Sequence, residues 1–371
     1  MQNEQSQKSD RVLVFGIFSL IAIGLVMVFG AGVIYAQTRF DGQQYYFFKR
    51  QLLFGVCPGL VLFYLAQRTP YQVWKRWAVP FFLGSLVLLA LVFFPGIGLK
   101  AYGANRWIQL GSFSFQPSEM AKLAIIIYLA AWVESRGRKN IRDFIEGLLP
   151  FLGVLAIIGF LILEQPDMGT VGVITLIAFS IFFAAGARVA HLAAIAGAGI
   201  VGLYALIKFE PYRLNRLLTF LDPGVDPQGI GYHINQALIA IGSGGILGVG
   251  LGQSRQKFNY LPEPVGDSIF AIVGEELGFF GASLVLALFI LIAVRGFRVA
   301  RRAPDEFGKF LAVGITAWIV FQAFMNIGAI TGIIPLTGVP LPFISYGGTS
   351  LVFLLTASGV LVNISKQAKL E

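Results

Sequence analysis

Charge is scarce in this sequence. Asp, Glu, Lys and Arg make up 13% of the 371 residues, against 56% that are apolar. Soluble domains carry about 25% charged residues, and a soluble chain with half that could not coat its own surface. The scarcity excludes a soluble globule and a solvated disordered chain. Cysteine is rarer still. A single Cys57 excludes an intrachain disulfide framework and a cysteine-rich metal site. It lies in an apolar run, where a thiol packs as a small hydrophobe. Two histidines, His191 and His233, leave no basis for a histidine metal cluster and read as ordinary polar or packing residues.

What the chain has instead is long apolar runs. A helix needs about 20 apolar residues to cross a bilayer. Runs of that kind cover Val12–Ala36, Gln51–Gln67, Trp77–Pro95, Met120–Val133 with its flanks, Leu148–Leu163, Met168–Ala187, Val189–Ile207 and Ser268–Val294. The first exceeds a signal-peptide core and reads as a span. No charge occurs from Phe310 to Ser365, and the Pro/Gly-rich stretch Pro335–Gly348 divides that length in two. The expectation is an all-α integral membrane protein of ten transmembrane helices. It forms a single polytopic domain over residues 1–371, with a long extracytoplasmic loop at about 208–266 between helices 7 and 8.

Lysine and arginine set the orientation. With the N-terminus cytoplasmic, the inside segments hold 17 of the 28 basic and 8 of the 19 acidic residues. They therefore carry the whole net charge of +9, which favours N-in/C-in. The basic excess reports topology and contact with anionic lipid, and no nucleic-acid partner is expected.

The Gly-rich stretch at 242–252 lacks a following Gly-Lys-Ser/Thr and a preceding strand, so it reads as a packing or hinge element rather than a phosphate loop. The apolar stretch Ile234–Leu251 around it predicts a helix pair or a re-entrant segment against the outer face. Ionisable groups at the outer helix ends are the informative feature, because a charge at bilayer depth persists where it faces a cavity or a partner. Lys122 lies one turn into a helix beginning near Pro117, with Glu119 on the same face. It is either a snorkelling lysine with a local ion pair or a cation at a cavity mouth near Arg106, where two cations would suit a pyrophosphate. Asp167, in the turn Glu164-Gln165-Pro166-Asp167, is either a helix cap or a carboxylate facing that cavity. Asp267, just before Ser268-Ile269, is either a cap or a base whose pKa partial desolvation raises. Of Glu275 and Glu276, at least one is expected to pair with a basic residue for structural reasons.

Several stretches together resemble the SEDS family (shape, elongation, division and sporulation) of bacterial envelope proteins. They are Asn105-Arg106-Trp107-Ile108, Gln116-Pro117-Ser118-Glu119 with Lys122, Gln165-Pro166-Asp167-Met168-Gly169-Thr170 and Arg213…Arg216…Phe220-Leu221-Asp222-Pro223. The strongest are Tyr260-Leu261-Pro262-Glu263…Asp267…Glu275-Glu276-Leu277-Gly278 and Thr337-Gly338-Val339-Pro340-Leu341-Pro342-Phe343-Ile344-Ser345-Tyr346-Gly347-Gly348. Within the family the 303–318 stretch looks more like the division-type FtsW than the elongation-type RodA. Two departures stand out: Val265-Gly266 replaces the usual His-Thr before Asp267, and His233 occupies a position usually held by Gln.

The resemblance implies an inner-membrane peptidoglycan glycosyltransferase. Such an enzyme polymerises lipid II, a disaccharide-pentapeptide on undecaprenyl pyrophosphate, at the outer face of the membrane. Its implied partners are a class B penicillin-binding protein and other divisome or elongasome membrane proteins. The family's essential aspartate falls on Asp267, expected as the base. Arg106 and Lys122 are expected to clamp the pyrophosphate, with Arg213, Arg216 and Lys257 as weaker candidates and Glu119 and Asp167 beside them. No cofactor is assigned, and a divalent cation held partly by Asp267 or Asp167 is a candidate for sharing the leaving-group charge. A flippase for the lipid-linked precursor and a non-catalytic scaffold for the penicillin-binding protein are the rival classes.

Overall fold

A computed structural model describes residues 9–40, 42–101, 104–111, 113–209, 211–222, 226 and 229–368. Among these residues six helical stretches are long and apolar enough to cross a membrane: Arg11–Gln37, Tyr46–Arg68, Phe144–Leu163, Ile269–Arg301, Glu306–Ile330 and Gly348–Gln367. Three shorter apolar helices, Ala78–Leu91, Met168–Ala184 and Val189–Gly202, accompany them. A tenth expected span corresponds to α6 (Pro117–Ile141), which carries more charge than the others. α1 (Arg11–Arg39) begins at Asp10, whose side chain accepts from Leu13 N. Asp10 also pairs with Arg295, and its backbone N–H reaches Ser365 Oγ at 3.1 Å. The start of α1 and the end of the last helix therefore meet at one end of the bundle.

Lipid-facing positions in such helices are as apolar as buried ones, so packing rather than polarity sets the faces. α1 buries Leu13, Ile17, Leu20, Met27 and Ala31 and turns Phe15, Val26 and Phe29 outward. α6 and α13 (Glu306–Ile330) lie at the centre, with α8 (Met168–Ala184) packed on both. α14 (Gly348–Gln367) lies against α3 (Cys57–Arg68). Two π-helical stretches, Leu52–Val56 and Phe144–Leu148, each end two residues before a proline, Pro58 and Pro150. Proline lacks an amide hydrogen and crowds the carbonyl four residues back; widening the preceding turn relieves both.

Two outer segments differ from expectation. Residues 98–115 are not a plain loop in an all-α chain. They form an antiparallel sheet of β1 (Gly98–Ala101), β2 (Ala104–Leu110) and β3 (Phe113–Phe115), in that order. Within β2, Ile108 is buried and Arg106, two positions earlier on the same face, is half-buried. Thr349 Oγ1 donates to Ser114 O and ties β3 to the start of α14.

The 208–266 segment is largely helical. α9 (Val189–Phe209) is followed by α10 (Pro211–Leu221) and α11 (Ile230–Gly244). Ile234–Leu251 is therefore not a helix pair: α11 stops at Gly244, and residues 245–252 turn back against α12 (Ile269–Arg301). α12 breaks at Gly278, whose φ of +64° suits only glycine. The turn supplies the hydrogen bonds that the break removes. Val249 N and Gly250 N donate to the carbonyls of Glu275 and Glu276, and Phe279 N donates to Gly245 O. Irregular backbone at this depth is tolerated because each group finds a protein partner.

Candidate functional site

Asp267 stands where five segments distant in sequence converge. It closes the turn 262–268, in which Glu263 takes a positive φ of +48° and its carbonyl accepts from Gly266 N and Ser268 N. The Pro/Gly-rich segment 335–347 lies across this turn. Tyr346 N donates to Val265 O at 2.8 Å, and Ser345 Oγ donates to Gly266 O at 2.8 Å. A Cβ on Gly338 would stand 3.6 Å from Asp267 Oδ2, so the carboxylate rests against a residue that has no side chain. Gly338 has a φ of +70°, which glycine alone adopts freely.

Three cross-links bring charge to this point. Arg106, from β2, donates through Nε to Gln165 O at 2.8 Å and through Nη2 to Pro166 O, which seats the guanidinium on the turn before α8. Arg216, from α10, donates to Leu336 O at 3.1 Å. Asp167 caps α8, accepting from Thr170 N at 3.1 Å and Thr170 Oγ1 at 2.9 Å.

The charges bearing on Asp267 are thus two carboxylates, Glu263 and Asp167, and two guanidiniums, Arg106 and Arg216. Desolvation pushes its carboxyl up to about 6, and the repulsion of Glu263 and then Asp167 adds to this, while Arg106 and Arg216 pull the other way. No hydrogen bond reaches either carboxylate oxygen of Asp267 among the described residues. The side chain does not cap α12, whose N-cap is Ser268 with no side-chain bond. A carboxylate with a raised pKa and uncommitted oxygens can take a proton from a bound hydroxyl near neutral pH.

The structure gathers the expected residues unevenly. Arg106, Asp167, Arg216 and Asp267 come together. Lys122 makes the expected local ion pair with Glu119, but it does so buried inside the bundle. It is 1% exposed, 2.8 Å from Glu119 Oε1 and 2.7 Å from Gln322 Oε1, so it neither snorkels nor opens on a cavity mouth. Lys257 is sealed in another network. It pairs with Glu276 at 3.1 Å and donates to Gly252 O at 2.5 Å, which meets the expectation of a structural partner for the Glu275–Glu276 pair. The Arg213 side chain, Pro223 and Gly224 lie outside the described residues. Among the described residues no three His, Cys, Asp or Glu side chains gather to hold a metal ion, and both Asp167 oxygens are engaged by Thr170.

Other residues join the site that were not expected there. Glu263 accepts from Tyr35 Oη at 3.2 Å. His233 Nε2 lies 2.6 Å from Ser268 Oγ, and Ser268 Oγ donates its one proton to Pro262 O at 2.7 Å. His233 is therefore the donor of that pair and contacts the neighbour of Asp267. Burial, with Arg216 nearby, holds its ring down to about 4, so it is neutral near pH 7. Gln322 and Asn326, four apart on α13, bond to the carbonyls of 339–340 and of Asp267. A pair of amides at helical spacing inside a charge-free span was the readable signal for them.

Comparison with known proteins gives one family. A model described as cell cycle protein, covering FtsW, RodA and SpoVE, matches residues 11–370. Stage V sporulation protein E of Bacillus subtilis is 44% identical over 97% of this chain and 98% of its own length. A probable peptidoglycan glycosyltransferase FtsW of a Geobacter species is 41% identical, over 97% of each chain. Among solved structures, a chain from a study of the structural coordination of polymerization and crosslinking by a peptidoglycan synthase complex superposes with a TM-score of 0.78. It is 27% identical, with 98% of this chain and 99% of that chain covered. The rod shape determining protein RodA of Thermus thermophilus superposes with a TM-score of 0.70 at 28% identity, covering 98% of each chain. This chain belongs to the SEDS family of FtsW, RodA and SpoVE, is FtsW-like within it, and is a multi-pass protein of the bacterial inner membrane.

Proposed function

We propose that the chain is a peptidoglycan glycosyltransferase that polymerises lipid II at the outer face of the inner membrane, with Asp267 as its base. The observation that carries this reading is the Asp267 carboxylate itself. It is raised to about 6, free of hydrogen bonds among the described residues, and flanked by Arg106 and Arg216. The basic excess on the opposite side of the expected topology supports an outward-facing site.

In the proposed reaction an acceptor sugar hydroxyl attacks the anomeric carbon of the lipid-linked donor. The new carbon–oxygen bond forms as the bond from that carbon to the pyrophosphate oxygen breaks. The hydroxyl proton passes to Asp267, and the bonding electrons leave with the undecaprenyl pyrophosphate. Arg106 and Arg216 stabilise the charge gathering on the departing oxygens, Arg213 being a further candidate. A single in-line displacement inverts the α-linked donor into a β-linked glycan. The donor supplies the driving force, and no nucleotide is consumed. A class B penicillin-binding protein is the proposed partner; the similarity to a chain of a peptidoglycan synthase complex supports it.

The test is polymerisation of purified lipid II by the chain with its cognate transpeptidase. Asp267→Asn abolishes glycan product and leaves the melting temperature in place. Translocation of lipid II in liposomes without polymer would favour the flippase class. Normal growth and partner binding by an Asp267→Asn strain would favour the scaffold.

A further inference from the structure

α13 crosses the bundle centre with two buried amides one helical turn apart, Gln322 and Asn326. Gln322 Oε1 accepts from Lys122 Nζ at 2.7 Å and from Trp318 Nε1 at 2.7 Å. Two donors on that oxygen fix the orientation of the amide, and its Nε2 then donates to Pro340 O at 3.0 Å. Asn326 Nδ2 donates to the preceding carbonyl, Val339 O, and to Asp267 O, both at 2.8 Å. The two amides thus hold consecutive carbonyls of the segment whose Gly338 lies against the Asp267 carboxylate.

Lys122 anchors this arrangement from α6. Its ammonium is enclosed by Glu119 Oε1, Gln322 Oε1 and, 5.1 Å away, the Trp318 ring. Reaching a pyrophosphate would require it to leave all three. It would also leave the Glu119 carboxylate buried and uncompensated, since Glu119 Oε2 has no partner among the described residues. We infer that Lys122 is a positioning residue: through Gln322 it fixes the 337–340 segment against Asp267, and it does not touch the substrate's pyrophosphate. This inference rests on the proposed role of Asp267 as base.

Lys122→Met alone strands a buried carboxylate and endangers folding, so the test uses Glu119→Gln/Lys122→Met, which removes both charges together. This variant, Gln322→Met and the triple combination are compared with the unaltered chain in complex with its transpeptidase. Displacing a positioned base lowers kcat by about 100-fold while KM for lipid II stays within about twofold. Gln322→Met gives a loss of the same size, and the triple variant is no worse than either, because the residues act as one unit. Backbone amides of 335–347 exchange hydrogen faster in each variant. A raised KM with kcat retained, unchanged turnover, multiplying losses, or unaltered exchange at 335–347 would each overturn the inference. If the unaltered chain makes no polymer from lipid II, the glycosyltransferase reading falls, and the exchange comparison still decides whether Lys122 braces the segment.

Discussion

Two sets of carboxylates stand eight residues apart at the same end of α12, and the molecule treats them oppositely. Glu275 accepts from Ser254 Oγ, Arg255 N and Gln256 N, and Glu276 from Gly252 N, Ser254 N and Lys257 Nζ. Every one of these oxygens is engaged, and the pair rivets residues 249–257 to the broken helix. The Asp267 carboxylate oxygens receive no hydrogen bond among the described residues, and they face two other acids. Chemical reactivity in a partly or fully buried carboxylate follows from donors withheld, while structural use follows from donors supplied. Acidity in the sequence does not distinguish the two; the surrounding donors do.

The sharpest way to break that comparison is to exchange charge for amide on each side of it. Asp267→Asn brings polymerisation below detection, a loss at or beyond the upper end of the range of about 100- to 10,000-fold for a lost general base, as read by glycan product from lipid II. Folding raises this carboxyl above its unfolded value of 3.8, so the ionised group opposes folding at neutral pH. The Asn variant therefore melts no lower than the parent. Arg106→Ala removes one cation from the departing pyrophosphate and lowers kcat by about 100- to 1,000-fold in the same assay.

On the structural side the sign reverses. Glu276→Gln leaves the Lys257 ammonium buried without its counter-charge, which costs about 3–5 kcal/mol. Thermal unfolding in detergent registers it as a lowered melting temperature, and activity lost with it follows the folded fraction. The smallest effect sharpens the electrostatics. Glu263 repels the ionised Asp267, so Glu263→Gln lowers the pKa of Asp267, and the acid limb of the rate profile moves to lower pH by up to about one unit. A limb that moves to higher pH would mean that Glu263 does not bear on Asp267 as described.

Much of this was readable from the residues. The apolar runs anticipated the long helices because no soluble arrangement hides that much apolar surface. Asp267, an acid at a span boundary, read as either a cap or a base, and the family resemblance is what singled it out. Other features needed three dimensions. The sheet at 98–115 was obscured because its strands are short and one is only three residues long. Arg216 and Arg106 reach Asp267 through backbone carbonyls of other segments, a contact without local signature. For Lys122 the sequence showed the nearby partner Glu119, one turn away, but not Gln322, which lies 200 positions further along the chain. His233 looked inert because its partner, Ser268, is fixed by the fold of the 262–268 turn rather than by spacing.

The most direct test is the pH dependence of lipid II polymerisation by the chain with its transpeptidase, measured from about pH 5 to 8 for the parent and for Asp267→Asn. The parent should lose activity below a midpoint near 6, as Asp267 takes up its proton and can no longer accept one. The Asn variant, folded to the same melting temperature, should make no product at any pH. Polymerisation by that variant with the same acid limb as the parent would contradict the account.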